Sequence, residues 1–421
     1  MTSNDNLLAP AAQKFYSALK CLDGFDKNND FFDNVSCLDN FLSEYRNVTF
    51  VIQKSLANTD MLSVYKKIRD KFFKGELSKW FIDKRNEVLK EHPFPLSKMV
   101  VATIYDTETS LKLLTKPFCA EDDATYESLI WSLREYLQNS HLIEIYFSVE
   151  FVYKELKTED NLFDKLLEGI NIMHSFLLSL NEKIKDNGII FHDIMEKINN
   201  LMILNVQKND LFIDDYVYYA DEDKFERGSR IRLCLPEARH SLSNFQIIDV
   251  EWEKMGFTNI EDKTYRLFLN LSFLNANIYV MQNHRIMPTF FIVYEDDTFI
   301  IDSFDSSLRA TTYRKINEVA NHILDENGKV RAVFFINEMW RYNSTDVLKK
   351  KYKDRVASEK PTALLTCHMI DNALRLKSYH FVGSKMCSKD YVLNQLRNNQ
   401  DATYHPFFLN PIYNAFTSMK K

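Results

Sequence analysis

Glycine is scarce, with 8 residues in 421, and no two lie close enough to build a phosphate-cradling loop of the Walker or Rossmann type. Nucleotide hydrolysis and dinucleotide redox chemistry are therefore disfavoured. The six cysteines, Cys21, Cys37, Cys119, Cys234, Cys367 and Cys387, stand singly, without the two-residue spacing of a zinc or dithiol site. They read as buried free thiols, and the chain offers neither a metal-ligand set nor a cofactor motif. No apolar run approaches the roughly 18 residues of a membrane span, and the first residues lack a basic stretch followed by an apolar core. The expectation is a cytoplasmic protein with no membrane partner. An excess of positive charge is also missing: 53 basic residues face 59 acidic ones, a net charge of −6. Contact with nucleic acid would then require a local basic surface rather than a global field.

What is present is apolar material in helical spacing. Hydrophobic residues make up 45% of the chain, enough for the cores of two or three domains. Phe15, Leu19 and Leu22 repeat at helical spacing after Pro10, and Leu38, Phe41, Leu42, Tyr45, Val48, Ile52 and Leu56 form an apolar stripe over 36–56 with Ser36 as a cap. Met61 to Phe73 continues the pattern up to Gly75, and 76–92 completes it with Leu77, Trp80, Phe81 and Val88 inward. Four helices with short connections predict an antiparallel helical bundle.

Beyond Pro95 the texture changes. Segments 99–105 and 111–115 read as a β-hairpin, and helical patterns return over 124–137, 141–156, 162–184 and 189–206. From Ile231 onward the pattern mixes. A helix is expected at 265–281, a hairpin at 289–294 and 298–302, a helix at 313–324 ended by a turn at Gly328, and strands at 331–337, 363–370 and 378–382. The fold class expected is α+β, predominantly α. It comprises a bundle at 1–95, a hairpin with long helices at 96–220, and a domain at 221–421 with a small mixed sheet covered by helices.

The stretch WFIDKRNEVLKEHPFPL, residues 80–96, carries the chemistry that stands out. Seven residues turn a helix through about 700°, so Arg85 and His92 return to nearly one face, two turns apart. Pro93 pushes His92 toward the helix end, where an imidazole meets the negative end of the helix dipole and suits proton transfer. Lys79, Lys84 and Lys90, with Lys66, Lys67, Arg69, Lys71 and Lys74, surround Arg85 and His92 and would supply a local positive surface that the acidic chain otherwise lacks. An arginine closely followed by a histidine recurs at Arg134 to His141, with the same six intervening residues, and at Arg375 to His380, with four. Neighbouring residues discriminate: Glu135 after Arg134 repels a phosphodiester, and Leu376 after Arg375 is inert, whereas Asn86 after Arg85 donates hydrogen bonds.

This segment resembles the signature of the HEPN superfamily, helical-bundle proteins of which many are metal-independent ribonucleases. Their pattern is an arginine, a polar neighbour, and a histidine after four to six intervening residues. Arg85, Asn86 and His92 match it with six, and the resemblance covers about residues 1–100. It implies an endoribonuclease acting as a homodimer, with two copies of the motif facing one cleft. His92 would move protons, Arg85 clamp the phosphate and Asn86 orient them, leaving 2′,3′-cyclic phosphate ends. It also implies a bacterial toxin or antiviral-defence effector, with RNA as substrate and an antitoxin or defence protein as partner. The alternative is a non-catalytic HEPN-like dimerisation scaffold whose C-terminal domain binds a protein.

Two other clusters compete for attention. Glu338, Trp340 and Arg341, at the end of the RAVFFIN strand, are a candidate ligand or partner site, because strand ends often line pockets. The basic run LKKKYKDR, 348–355, reads as a solvated face. Cys367 and His368 are neighbours on a strand, point to opposite faces, and read as structural.

Overall fold

In a computed structural model of the chain, the described residues are 6–119, 126–138, 142–186, 188–201, 212–228, 239–244, 252–258, 260–305, 308–386, 388–400 and 403–420. Residues 9–90 form helices α1 (Ala9–Asp23), α2 (Phe31–Ser55), α3 (Met61–Phe72) and α4 (Glu76–Lys90), where the apolar spacing places them. The start of α2 is corrected: Asp30, not Ser36, is the cap, its carboxylate accepting the Phe32 N–H at 2.8 Å. The end of α4 is corrected too, because the helix stops at Lys90 and leaves His92 outside it.

Further along come strands β1 (Leu96–Tyr105) and β2 (Lys112–Cys119), the expected hairpin, then α5 (Tyr126–Gln138), β3 (Glu144–Glu155), α6 (Leu162–Ile184) and α7 (Ile189–Asn199). β3 overturns the helix expected at 141–156. Its sequence EIYFSVEFVYKE is a largely apolar run interrupted by Ser148 and Glu150, which reads alike for a buried helix and a buried strand. The run of β-branched and aromatic residues favours the strand, and β3 lies inside a five-stranded sheet of order β2-β1-β3-β4-β5, paired on both edges. β4 (Ile213–Tyr219), buried along its length, and β5 (Lys224–Arg227) were not foreseen. The final part of the helix expected at 189–206 lies outside the described residues.

The chain separates into two compact units, each drawing on more than one of the three sequence-based regions. The first comprises Met1–Val101, Lys116–Tyr136 and Glu150–Ile213. Its spine is α6, capped by Asn161 and burying Phe163, Leu166, Ile170, Met173, Phe176, Leu177 and Leu180 at helical spacing. α1 packs on α2 and α7, α2 on α4, and α3 on α6. The closest approach is at Gly169: Tyr45 Oη donates to its carbonyl at 2.7 Å, and a Cβ there would stand 2.2 Å from Cε2 of Phe81. Phe81 in turn stacks on Tyr45, centroids 4.4 Å apart. Gly169→Ala must therefore displace a ring that is itself pinned, and it is expected to cost about 1–3 kcal/mol, read as a lowered urea midpoint. An unchanged midpoint would show that Phe81 moves freely.

The second unit comprises Ala102–Thr115, Leu137–Val149 and Asp214–Lys421. Its six-stranded sheet has the order β11-β10-β9-β7-β8-β6, built from β6 (His240–Ser241), β7 (Thr289–Tyr294), β8 (Thr298–Ser303), β9 (Val330–Arg341), β10 (Thr362–Asp371) and β11 (Leu376–Val382). Every paired neighbour is antiparallel, which corrects the expected mixed sheet. Tight turns between β7 and β8 and between β10 and β11 impose that direction. α8 (Lys263–Met281) covers one face, where Phe268, Leu271 and Tyr279 meet Phe334, Ile336 and Cys367. α9 (Arg309–Asp325) lies on the other, where Ile316 and Ile323 meet Phe290, Phe335 and Ile370. Gly328 takes φ +85° after α9, the left-handed turn expected there. The short helix α10 (Thr345–Leu348) and α11 (Tyr352–Ser358) follow β9. α12 (Lys389–Asn398) and α13 (Asn410–Ser418), absent from the sequence reading, complete the unit. The α+β class holds, with helix exceeding strand among the described residues.

Candidate functional site

α4 carries most of the motif, and its inward face is fixed by aromatic and ionic contacts. Phe81 packs on α2, and Trp80 donates from Nε1 to Glu155 at 3.0 Å. Lys84, 13% exposed, reaches the same Glu155 at 2.7 Å and Glu87 at 2.6 Å. It is held inside the first unit, whereas Lys79 and Lys90 are exposed and make no ion pair among the described residues.

The helix ends by splitting one carbonyl: Glu91 N–H and His92 N–H both reach Glu87 O, at 2.7 and 3.2 Å. Pro93 forbids a further turn, and the Phe94 N–H then donates to Asp39 on α2 at 2.9 Å. Burial lifts the Asp39 carboxyl above its usual range, against the Phe94 hydrogen bond and the nearby His92 charge. His92 is exposed, with Nδ1 2.9 Å from the Pro93 carbonyl. A carbonyl only accepts, so Nδ1 carries a proton, and in the corresponding neutral tautomer Nε2 keeps its lone pair.

Arg85 points elsewhere. Its guanidinium stands 6.0 Å from the Phe50 ring of α2, Nη1 donates to Asn86 Oδ1 at 3.3 Å, and Nε is buried without a hydrogen-bond partner. Arg46 lies over the same Phe50 ring at 4.6 Å and donates to Thr49 at 2.6 Å. Burial first, and then the charges of Arg85 and Arg69, hold Arg46 below the usual arginine range despite Tyr65. Arg69, from α3, pairs with Asp70 at 2.7 Å and faces Tyr65. Of the three guanidinium groups only Arg69 has a carboxylate, among the described residues. A cavity of 260 Å³ opens beside them, lined by Arg46, Arg69, Thr49, Tyr45 and Ser78 among others. Phe81 and Ile82 also line it, and Arg85 is the next residue along that face of α4. Cations held together by aromatic packing, with donors left over, match a phosphate or another oxyanion.

The structure therefore brings Arg85 together with Arg46 and Arg69, and does not bring it to His92 by a shared helix face. Arg85 sits at Phe50 and His92 by Asp39, eleven residues apart on α2 and thus separated by about 16 Å of helix rise. Arg46 was missed because no histidine follows it at the required spacing. The available signal was its place beside Tyr45 and Thr49, a cation on the buried side of an apolar stripe.

Of the other Arg-to-His matches, only Arg375 to His380 lies wholly within the described residues. Arg375 is spent on Asp371 and Asp262, and His141 lies outside the described residues. The basic run is likewise paired, with carboxylates outside it: Lys351 and Lys353 meet Glu222, and Lys349 meets Asp346. Cys367 is in the α8-side core, burial pushing its thiol up to about 12. His368 faces the opposite side, its Nδ1 2.7 Å from Ser378 Oγ, with burial pulling it down to about 3.

In the second unit Glu338 and Trp340 share a 330 Å³ cavity, while Arg341 is exposed and does not line it. Trp340 Nε1 donates to Glu338 Oε1 at 2.8 Å, Tyr279 Oη donates to Oε2 at 3.3 Å, and Trp340 lies nearly parallel to Tyr352. Among the described residues no helix is long and apolar enough to cross a membrane, and no group of three or more His, Cys, Asp or Glu side chains is arranged to hold a metal ion. No family model, curated protein or solved structure matches the chain.

Proposed function

We propose that the protein is a metal-independent endoribonuclease of the HEPN type, its N-terminal helices forming the bundle and two chains completing one site. The observation that carries the reading is the gathering of Arg46, Arg69 and Arg85 from three helices, two of them without a carboxylate among the described residues, in a unit where an exposed imidazole follows α4. Cleavage requires a base for the ribose 2′-hydroxyl, positive charge at the phosphorane and an acid for the departing 5′-oxygen. His92 Nε2 of one chain takes the 2′-proton, the 2′-oxygen attacks phosphorus, and His92 of the other chain, entering protonated, gives its proton to the 5′-oxygen. The arginines hold the phosphate oxygens, and Asn86 steadies Arg85. The products are a 2′,3′-cyclic phosphate and a 5′-hydroxyl. The about 16 Å between the Arg85 and His92 contact points on α2 is the reason a second copy is needed. By resemblance, the setting is a toxin or defence effector with a cognate partner.

The same separation also favours a second reading, a dimerisation scaffold without catalysis. Incubating the full-length protein with total RNA and a chelator distinguishes them. Cleavage is expected, with Arg85→Ala and Arg46→Ala each slowing it by about 10²–10³-fold and Arg134→Ala leaving it unchanged. Absence of cleavage by a folded dimer, or full activity in Arg85→Ala, sinks the ribonuclease reading.

A further inference from the structure

The 330 Å³ cavity of the second unit is lined by a cation held by aromatic side chains rather than by a carboxylate. Arg309 is the first residue of α9, where a positive charge opposes the helix dipole and costs stability. It forms no ion pair among the described residues. Its guanidinium instead lies 4.6 Å over the Tyr352 ring, beside Tyr146 and Tyr313. Glu144, whose charge it feels, makes no ion pair with it among the described residues and accepts instead from the Tyr352 N–H at 2.7 Å and the Tyr146 hydroxyl at 3.2 Å.

The rest of the lining is complementary in kind. Trp340, Tyr352, Tyr313 and Phe408 supply flat apolar faces, and Trp340 is 41% exposed and so accessible. Glu338 accepts from Trp340 and Tyr279, one to each oxygen, and each carboxylate oxygen keeps a lone pair for another donor. Asn337 has its carbonyl oxygen occupied by Thr366, which leaves its amide donors. A volume of 330 Å³ lies at the lower end of small-molecule sites, about 300–1,000 Å³, and excludes a polymer.

We propose that this cavity binds a small ligand joining a planar ring with N–H donors to an anionic group. The anion meets Arg309, the ring lies against Trp340 and Tyr352, and its N–H edge meets Glu338. A mononucleotide and an aromatic amino acid share this chemistry. The site is independent of the ribonuclease reading, because none of its residues belongs to the first unit.

Calorimetric titration of the full-length protein with 5′-AMP, 5′-GMP and tryptophan tests it, alongside adenosine and inorganic phosphate as the separated halves. Saturable binding of a nucleotide or of tryptophan is expected, and which of them binds assigns the source. The separated halves should bind at least about ten-fold more weakly. Arg309→Gln and Trp340→Leu should each weaken binding by about ten-fold or more, with folding checked by circular dichroism. Trp340→Leu carries the test if the partly buried arginine variant fails to fold. The proposal is overturned if no ring-plus-anion probe binds at about 1 mM, if the separated halves bind as tightly, or if Trp340→Leu leaves the affinity unchanged.

Discussion

His92→Ala is expected to slow RNA cleavage by about 10²–10⁴-fold in the presence of chelator, with RNA affinity and thermal stability close to those of the parent. The argument rests on how little else the side chain does. It is exposed, and its hydrogen bond goes to the carbonyl of the adjoining Pro93, so removing it opens no cavity. Helix α4 is ended by Pro93 and anchored by the Phe94–Asp39 hydrogen bond, both of which survive the substitution. On the proposed ribonuclease reading, phosphate binding survives as well, because that reading assigns it to Arg46, Arg69 and Arg85. What the substitution would remove is the Nε2 lone pair proposed to take the 2′-proton and, in the other chain, the proton proposed for the leaving oxygen. Single-turnover cleavage of a defined oligonucleotide, beside fluorescence anisotropy of the uncleaved 2′-deoxy analogue, separates rate from affinity. Unchanged turnover in His92→Ala would remove the histidine from the mechanism.

Arg314→Ala is expected to lower stability by about 3–5 kcal/mol in urea unfolding, the largest structural effect predicted for this chain. Arg314 is 9% exposed and donates through Nε and Nη2 to Asp215, which is 6% exposed, and through Nη1 to Glu318 at 2.7 Å. Ser148 adds a hydrogen bond to Asp215 at 2.8 Å and is itself joined to Tyr105. Removing the guanidinium strands a buried carboxylate, which costs more than the pair contributes when intact. The pH dependence follows. Burial alone would raise Asp215, but the charge and hydrogen bonds of Arg314, with Ser148, outweigh it and hold the carboxyl below the usual range. A carboxyl depressed in the folded state contributes stability above the unfolded range of about 4, and that contribution is lost as pH falls through the lower folded value. Acid unfolding should therefore begin at higher pH in Arg314→Ala than in the parent. Equal stability of the two proteins at neutral pH would show that water or another donor replaces Arg314.

Local chemistry was read correctly where it was self-contained. The apolar stripe over 36–56 became α2, 162–184 became α6 residue for residue, and the turn at Gly328 fell where a left-handed position was expected. It failed where one pattern has two solutions. The run in β3 suits a buried helix as well as a buried strand, and only its neighbours β1 and β4 make the strand the better choice. Helix length was overestimated at α4 for a related reason: seven-residue arithmetic assumes that the helix continues, and Pro93 ends it first.

The motif itself divides along the same line. That Arg85 and Asn86 share a helix followed by His92 and Pro93 is local, and so is the ending of that helix ahead of Pro93; the sequence alone determines both. That Arg85 would find Arg46 and Arg69 rather than His92 was decided by tertiary packing. Phe81 and Tyr45 stack, Gly169 lets α6 close against them, and the long arginine side chains are turned toward Phe50 and Tyr65. Lys84, equivalent to Lys79 and Lys90 in sequence, is withdrawn from the surface because β3 brings Glu155 to it. Spacing along a chain fixes which side chains share a face. Which charges meet across helices depends on contacts between residues far apart in sequence, and these exist only once the core has formed.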